Sequence, residues 1–165
     1  MKKPRGVIML KVMTVSWFVR QDQILLGLKK LRLGAGLYNG FGGRVEPGET
    51  IEQAAIREFE EETKGMQVKR QEEIGRVTVR FEESDLVVEL HFFLVIECCG
   101  EPAENDEMKP EWFSLEEIPF NRMWPTDRIC LPLAIKGLKF TGHFLLNNPD
   151  QRKVISKEIT VVEFI

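Results

Sequence analysis

The sequence has few cysteines, and their arrangement suggests neither a disulfide framework nor a zinc site. Cys98, Cys99 and Cys130 are odd in number and form no CxxC pair. No stretch approaches the roughly 18 uninterrupted apolar residues that a membrane span needs. The apolar run after the basic residues 1–5 superficially resembles a signal peptide, but Lys11 interrupts it and no small-residue cleavage site follows. We therefore expect a soluble, cytoplasmic protein without a membrane partner.

An excess of positive charge is also absent. Lys and Arg number 23 against 26 Asp and Glu, so the formal net charge is −3. A protein that takes its affinity from a nucleic-acid backbone is normally basic, so a polymeric nucleic acid is not the expected partner. A small anionic ligand remains compatible with this balance, because divalent cations can lie between carboxylates and phosphates.

Periodicity and turn residues predict a sheet with about two helices. Strands are predicted at residues 7–19, 23–28, 73–81, 86–97 and 154–165. Helices are predicted at residues 50–62, which open with a capping box at Thr50, and at residues 129–138. Residues 101–109 have the composition of a polar loop. The length of 165 residues and 43% hydrophobic content then predict a single α+β or α/β domain over residues 1–165, which we expect to be a monomer.

The helix at residues 50–62 carries three carboxylates on one face. Glu58, Glu61 and Glu62 fall within roughly a 100° arc, and that arc overlaps the apolar stripe that contains Phe59. Six of the 13 glycines precede this helix between residues 34 and 48, which is typical of a loop whose backbone approaches a ligand. Partly buried carboxylates of this kind hold a divalent cation such as Mg²⁺, whereas the alternative is an ordinary solvated acidic helix face.

Seven residues decide between these alternatives, because their spacing reproduces the Nudix box, G-x5-E-x7-R-E-U-x-E-E-x-G-U. They are Gly43, Glu49, Arg57, Glu58, Phe59, Glu61 and Glu62. A chance match in this chain has a probability on the order of 10⁻⁵. Only the end departs, since Thr63, Lys64 and Gly65 place the glycine one residue late. The resemblance implies the α/β/α Nudix fold, an α+β arrangement with a mixed central sheet between two main helices, and a Mg²⁺-dependent hydrolase for which Mn²⁺ is a substitute.

Further segments resemble one branch of this family, the animal-type purine nucleoside triphosphatases that clear oxidised nucleotides. They are residues 25–30, 34–43, 106–113 and 118–127. The resemblance implies hydrolysis of nucleotides such as 8-oxo-dGTP or 2-hydroxy-dATP to the monophosphate and pyrophosphate. The alternatives are another nucleoside diphosphate derivative, such as ADP-ribose, a nucleotide sugar or a capped RNA end, and a binding module without turnover.

The same resemblance implies roles for individual residues. Metal ligands would be the carbonyl of Gly42 and the carboxylates of Glu58, Glu61, Glu62 and Glu107. One of the three helix glutamates would activate water, and Arg57 would orient its neighbours. The nucleotide would be bound by Thr14, Lys29, Asn39, Phe41, Gly43, Arg44, Phe81, Trp124, Thr126 and Asp127, among which Asn39 and Asp127 would read the base and Trp124 would pack on it.

Two features of the sequence bear on substrate choice. Thr126 stands where the related pocket has a second aspartate, and a hydroxyl cannot switch between acceptor and acid as a carboxyl group can. Leu33 and Val79 occupy positions where aromatic residues are expected, which predicts weaker base stacking. His91 lies in a strongly apolar strand, which indicates a hydrogen-bonded core histidine more than a catalytic base.

Overall fold

A computed structural model describes residues 6–150 and 152–165, so the basic residues 1–5 lie outside the described residues. The elements in chain order are β1 (Met9–Arg20), β2 (Gln23–Lys29), β3 (Tyr38–Asn39), α1 (Ile51–Thr63), β4 (Met66–Phe81), β5 (Leu86–Gly100), β6 (Met108–Ser114), a 3₁₀ turn (Phe120–Arg122), α2 (Pro125–Ile135), β7 (Lys139–Leu146) and β8 (Val154–Val162). Within this part of the chain, no helix is long and apolar enough to cross a membrane.

The strands form one mixed sheet. Its order is β3-β2-β1-β5-β4-β7-β8, and β6 pairs with β2 outside this path. The β1–β5 and β4–β7 pairs are parallel, and the other pairs are antiparallel. Strand β1 therefore lies between β2 and β5. The glycine-rich loop also pairs with β1, through antiparallel bridges between Met13 and Arg44 and between Ser16 and Phe41.

Each face of the sheet has its own hydrophobic core. Trp17 and Phe18 are consecutive in β1 and point to opposite faces, as successive strand residues do. Trp17 belongs to the cluster that contains Cys130 and Leu131 of α2, whereas Phe18 belongs to the cluster that contains Phe59 of α1. The sheet is thus sandwiched between the two helices, and the predicted Nudix-type α+β arrangement is confirmed.

Several predicted boundaries were wrong. Strand β4 begins at Met66 and not at residue 73, β8 ends at Val162, and α2 spans Pro125–Ile135 in place of residues 129–138. Helix α2 starts early because Pro125 occupies its first turn, where the missing N–H of proline costs nothing.

Three strands have no counterpart in the prediction. The two-residue β3 lies in the glycine-rich loop, β6 begins inside the predicted polar loop at Met108, and β7 follows α2. In β7 the pattern is interrupted by Gly142, yet this glycine allows close strand pairing: a Cβ there would lie 2.3 Å from the carbonyl oxygen of Glu158 in β8. Strand β6 is specified by its pairing with β2, which is distant in sequence.

Candidate active site

The glycine-rich loop is bound to the edge of β1 by its backbone. The N–H of Thr14 donates to the carbonyl of Gly43 at 2.8 Å, and the N–H of Ser16 donates to the carbonyl of Phe41 at 2.6 Å. A Cβ on Gly42 would lie 1.9 Å from the carbonyl oxygen of Thr14, so only glycine permits this approach. The glycines are therefore needed to bring the loop between β1 and α1.

Helix α1 begins with the predicted capping box. The hydroxyl of Thr50 accepts from the N–H of Gln53 at 3.1 Å, and the Gln53 side chain accepts from the N–H of Thr50 at 2.9 Å. Phe59 anchors the other face, where it meets Phe41 edge to face at 5.3 Å between ring centroids. These contacts fix the rotation of α1 and direct its carboxylates towards the glycine-rich loop.

Helix α1 ends at Thr63, and the capping residue after it, Lys64, has the left-handed backbone conformation (φ 61°). This is the position at which the Nudix box has glycine. The helix therefore stops where the box predicts, and the extra residue leaves lysine in a conformation that glycine adopts with less strain.

Arg57 organises the acidic groups around it. Its guanidinium donates two bonds to Glu49, at 2.7 and 3.0 Å, and one to Glu58 at 2.8 Å. It also contacts Glu61 at 3.4 Å and the carbonyl of Arg44 at 3.2 Å. The hydrogen bonds from Arg57 hold the pKa of Glu49 down at about 2. The hydrogen bonds of Arg57 therefore hold Glu49 and Glu58 beside each other.

Glu62 is the most buried of the helix carboxylates, with 7% of its surface exposed. Its Oε1 accepts a hydrogen bond of 2.7 Å from the N–H of Gly42. Burial raises the pKa of Glu62 to about 8, and the nearby charges of Glu58 and Glu107 act in the same direction. Burial also raises the pKa of Glu58. A cation placed among these carboxylates would favour their ionised forms and offset both effects.

Glu107 reaches this group from the loop before β6. The N–H of Lys30 donates to the carbonyl of Glu107 at 2.9 Å, and the side chain of Asn105 donates to the carbonyl of Glu62 at 2.7 Å. Asn105 was not among the predicted residues, although it ties this loop to the end of α1. A polar residue in a polar loop carries no local signal of such a role.

A cavity of about 1280 Å³ joins the acidic group to the region around α2. Of the predicted site residues, it is lined by Thr14, Lys29, Asn39, Gly42, Gly43, Arg44, Glu58, Glu62, Phe81, Glu107, Trp124, Thr126 and Asp127. Arg57 supports this lining from behind, and Glu61 lines an adjoining cavity of about 370 Å³ together with Glu62 and Glu107. The structure therefore brings together residues that lie far apart in the sequence.

Phe41, which was predicted to bind the nucleotide, does not lie at the cavity surface. It is fully buried in the core between β1 and α1, where it packs on Phe59, and it does not line the cavity. Conversely, Lys11 and Arg32 line the cavity without having been predicted. In the sequence Lys11 only interrupts an apolar run, and its position on the cavity wall depends on the loop that pairs with β1.

The end of the cavity near α2 combines apolar and polar groups. Asp127 is 4% exposed, and burial raises its pKa to about 7, against a smaller opposing effect of the Thr126 hydroxyl. Asn39 donates to the carbonyl of Leu37 at 2.9 Å. The hydroxyl of Thr14 is buried and has no hydrogen-bond partner among the described residues.

The donor set fits a divalent cation, although the carboxylates do not converge on one point. In the described residues, no three His, Cys, Asp or Glu side chains come close enough to hold a metal ion by themselves. Glu58 is instead bonded to Arg57, and Glu62 to the N–H of Gly42. Gly43 leaves room beside Glu58, since a Cβ there would lie 2.5 Å from its carboxylate carbon. Oxygen donors with raised pKa values around such a space suit a hard cation.

His91 lies outside this site, as predicted. It is 2% exposed, and its two ring nitrogens lie 2.6 Å from Glu73 and 2.7 Å from Glu89. The interpretation as a hydrogen-bonded core histidine is confirmed.

Comparisons with known proteins agree with this geometry. Residues 10–134 match the NUDIX domain. The chain is 42% identical to the oxidized purine nucleoside triphosphate hydrolase of Danio rerio over 85% of this chain and 89% of that protein, and 38% identical to the Mus musculus protein of the same name over 93% and 96%. The crystal structure of a MutT protein from Bacillus halodurans superposes with a TM-score of 0.78 at 27% identity, covering 90% of this chain and 97% of that one. Proteins with this domain generally use divalent metal cations. Since the matched residues include the carboxylate helix, the glycine-rich loop and most of α2, this chain belongs to the Nudix family of hydrolases.

Proposed function

We propose that this protein hydrolyses purine nucleoside triphosphates, preferably oxidised ones such as 8-oxo-dGTP or 2-hydroxy-dATP, to the monophosphate and pyrophosphate. The observation that carries the proposal is the single cavity that runs from Glu58 and Glu62 to Trp124 and Asp127. Acidic groups at one end and an apolar, hydrogen-bonding surface at the other suit a ligand with both phosphates and a base. The names of the fish and mouse relatives support the same substrate class. The activity would remove damaged nucleotides from the precursor pool.

The cofactor we propose is Mg²⁺, for which Mn²⁺ would substitute. The groups that would hold it are the carboxylates of Glu58, Glu61, Glu62 and Glu107 and the carbonyl oxygen of Gly42. When bound, the cation neutralises charge on the polyphosphate and makes water more acidic. The raised pKa values of Glu58 and Glu62 indicate where positive charge is most stabilising.

The protein's own residues then bind, orient and move a proton. Lys29 and Arg44 would contact phosphate oxygens as cations on the cavity wall. One of Glu58, Glu61 and Glu62 would take the proton of the attacking water. Arg57 would keep these carboxylates in place through its bonds to Glu49 and Glu58.

The base would be bound at the α2 end of the cavity. Trp124 and Phe81 would pack against the purine ring. Asn39 and Asp127 would form hydrogen bonds with the polar edge of the base. The hydroxyl of Thr14, which has no hydrogen-bond partner among the described residues, would also contact the nucleotide. With a pKa of about 7, Asp127 would serve as acceptor or as donor near neutral pH. Thr126 lacks that freedom, so we propose a narrower range of oxidised purines than two adjacent aspartates would allow.

A pyrophosphate-release assay with Mg²⁺ tests this proposal. The panel contains 8-oxo-dGTP, 2-hydroxy-dATP, the normal nucleoside triphosphates, ADP-ribose and a nucleotide sugar. Glu62→Gln removes a cavity carboxylate, and Glu52→Gln is the matched control because Glu52 is exposed on the same helix and does not line the cavity. We expect an oxidised purine triphosphate to be cleaved best, the Glu62 variant to be inactive and the Glu52 variant to be unaffected.

Other outcomes would redirect the assignment. Cleavage of ADP-ribose or a nucleotide sugar alone would retain Nudix chemistry and reject the proposed substrate. Nucleotide binding without cleavage of any panel member would indicate a binding module. We further propose that residues 1–165 act as one monomeric domain in the cytoplasm, with a small nucleotide and no polymeric nucleic acid or membrane as partner.

A further inference from the structure

The indole of Trp124 is contacted from outside the cavity by a charged side chain. The guanidinium of Arg152 lies over the ring, 4.9 Å from its centroid. Trp124 lines the cavity, whereas Arg152 is not among the residues that line it. On the Nε1 edge, Gly34 comes so close that a Cβ would lie 3.1 Å from the nitrogen. The indole is therefore contacted by a loop backbone at its Nε1 edge and by a cation on its face.

Arg152 lies between β7 and β8, and the described residues near it are hydrogen-bonded to one another and to the end of β4. The N–H of Arg152 donates to the carbonyl of Asn148 at 3.0 Å, and the N–H of Asn147 donates to the carbonyl of Lys153 at 3.0 Å. The N–H of Glu83, just after β4, donates to the carbonyl of Asn147 at 3.0 Å. The backbone at Arg152 is therefore held by protein contacts, and its guanidinium lies over Trp124 without a substrate.

We propose that Arg152 is a positioning residue for the nucleobase, acting through the plane of the Trp124 indole. A cation over an aromatic face is attracted to it, and this attraction restricts the ring to one orientation before the ligand arrives. A pre-oriented platform lowers the ordering cost of binding. The inference rests on the proposed function, because it requires that a base packs on Trp124.

A direct electrostatic attraction between Arg152 and the phosphates is the competing explanation. It predicts weaker binding of any polyphosphate when the charge is removed. Positioning of Trp124 predicts weaker binding only of ligands that carry a base. Inorganic tripolyphosphate, which has no base, separates the two.

The experiment uses the full chain with Arg152→Gln and Arg152→Lys. For Arg152→Gln we expect KM for the best purine triphosphate to rise about two- to fivefold, with kcat unchanged within twofold, because the contact stabilises ground and transition states equally. Arg152→Lys keeps a cation and should recover part of the loss. Tripolyphosphate inhibition should not change. The matched control is Arg20→Gln, because Arg20 lies over Trp112 at 4.3 Å and neither residue lines the cavity.

A double-mutant cycle completes the test. In a Trp124→Leu background, Arg152→Gln should have no further effect on KM, because the ring through which it acts is gone. An equal effect in both backgrounds, or weaker tripolyphosphate inhibition, would overturn the proposal.

Acrylamide quenching of Trp124 fluorescence without substrate gives a reading that needs no activity. Quenching, taken as the difference from Trp124→Phe, should increase in Arg152→Gln. Suppose that Arg152→Gln increases quenching and weakens binding of a purine monophosphate, while no triphosphate is cleaved by the unmodified protein. The proposed catalytic function then fails and the positioning role stands. Unchanged quenching, or unchanged purine affinity, would reject the positioning role whatever the activity.

Discussion

The N–H of Gly42 donates a hydrogen bond of 2.7 Å to Oε1 of Glu62, which joins the glycine-rich loop directly to the carboxylate helix. The loop is itself bonded to β1, so the position of a buried carboxyl depends on backbone contacts of the sheet. The space around these groups is so small that one added methyl group, at Gly42 or Gly43, would collide with neighbouring atoms.

Gly43→Ala should reduce kcat/KM at least tenfold with little change in melting temperature. The new Cβ would lie 2.5 Å from the Glu58 carboxylate carbon, and the flexible end of that side chain must move. Gly48→Ala is the contrasting variant: no atom lies within 4 Å of its Cβ, but its φ of 87° strains alanine. It should lose about 1 kcal/mol of stability and keep its activity. Full activity of Gly43→Ala would contradict this account of Glu58.

Arg57→Lys should lower kcat/KM about 10- to 100-fold. A lysine has one nitrogen and cannot reproduce the bonds from the guanidinium to both Glu49 and Glu58. Steady-state kinetics across a Mg²⁺ titration would show the loss together with a raised metal requirement. A variant with normal kinetics at low Mg²⁺ would exclude an orienting role for Arg57.

Asp127→Asn should stabilise the protein more at pH 8 than at pH 5. Burial raises the folded-state pKa of Asp127 to about 7 from an ordinary value of 3.8. The folded state therefore binds this proton more tightly, and the associated stability is present below pH 4 and lost as the pH rises to about 7. Between pH 5 and 8 the loss is about 2 to 3 kcal/mol, and asparagine abolishes it. Urea unfolding at both pH values measures the difference, which should be absent if Asp127 is ionised throughout.

Lys64→Gly should raise the free energy of unfolding by about 1 kcal/mol. Lys64 has a φ of 61°, which strains a residue with a Cβ and which glycine adopts freely. Lys64→Ala removes the same charge and keeps the Cβ, so it should not be stabilised. Equal stability of the two variants in denaturant would mean that the backbone at this position is not strained.

The sequence alone predicts the carboxylate helix well, because its signals are local. The capping box at Thr50, the stripe with Phe59 and the spacing of Glu58, Glu61 and Glu62 all lie within one helix. The fold class also follows from such periodicities, together with the family resemblance.

Features that depend on pairing between distant segments were not predictable in this way. Strand β6 is short, contains Pro110 and is specified by pairing with β2. Phe41 is a second example of this dependence. Its place in the glycine-rich loop suggests a contact with a ligand, but the loop pairs with β1 and the Phe41 ring packs in the core. Asn105 and Arg152 likewise depend on what the tertiary fold places beside them.

The register of β6 against β2 has a consequence for how the protein folds. Glu107 directly precedes β6, and Met108 of β6 pairs with Lys29 at the end of β2. The Glu107 carboxylate therefore reaches the cavity only after β2 and β6, which are far apart in sequence, have paired. Pairings of high sequence separation form slowly, whereas a helix forms within about a microsecond. During refolding we therefore expect helical circular dichroism to recover before divalent-cation affinity does.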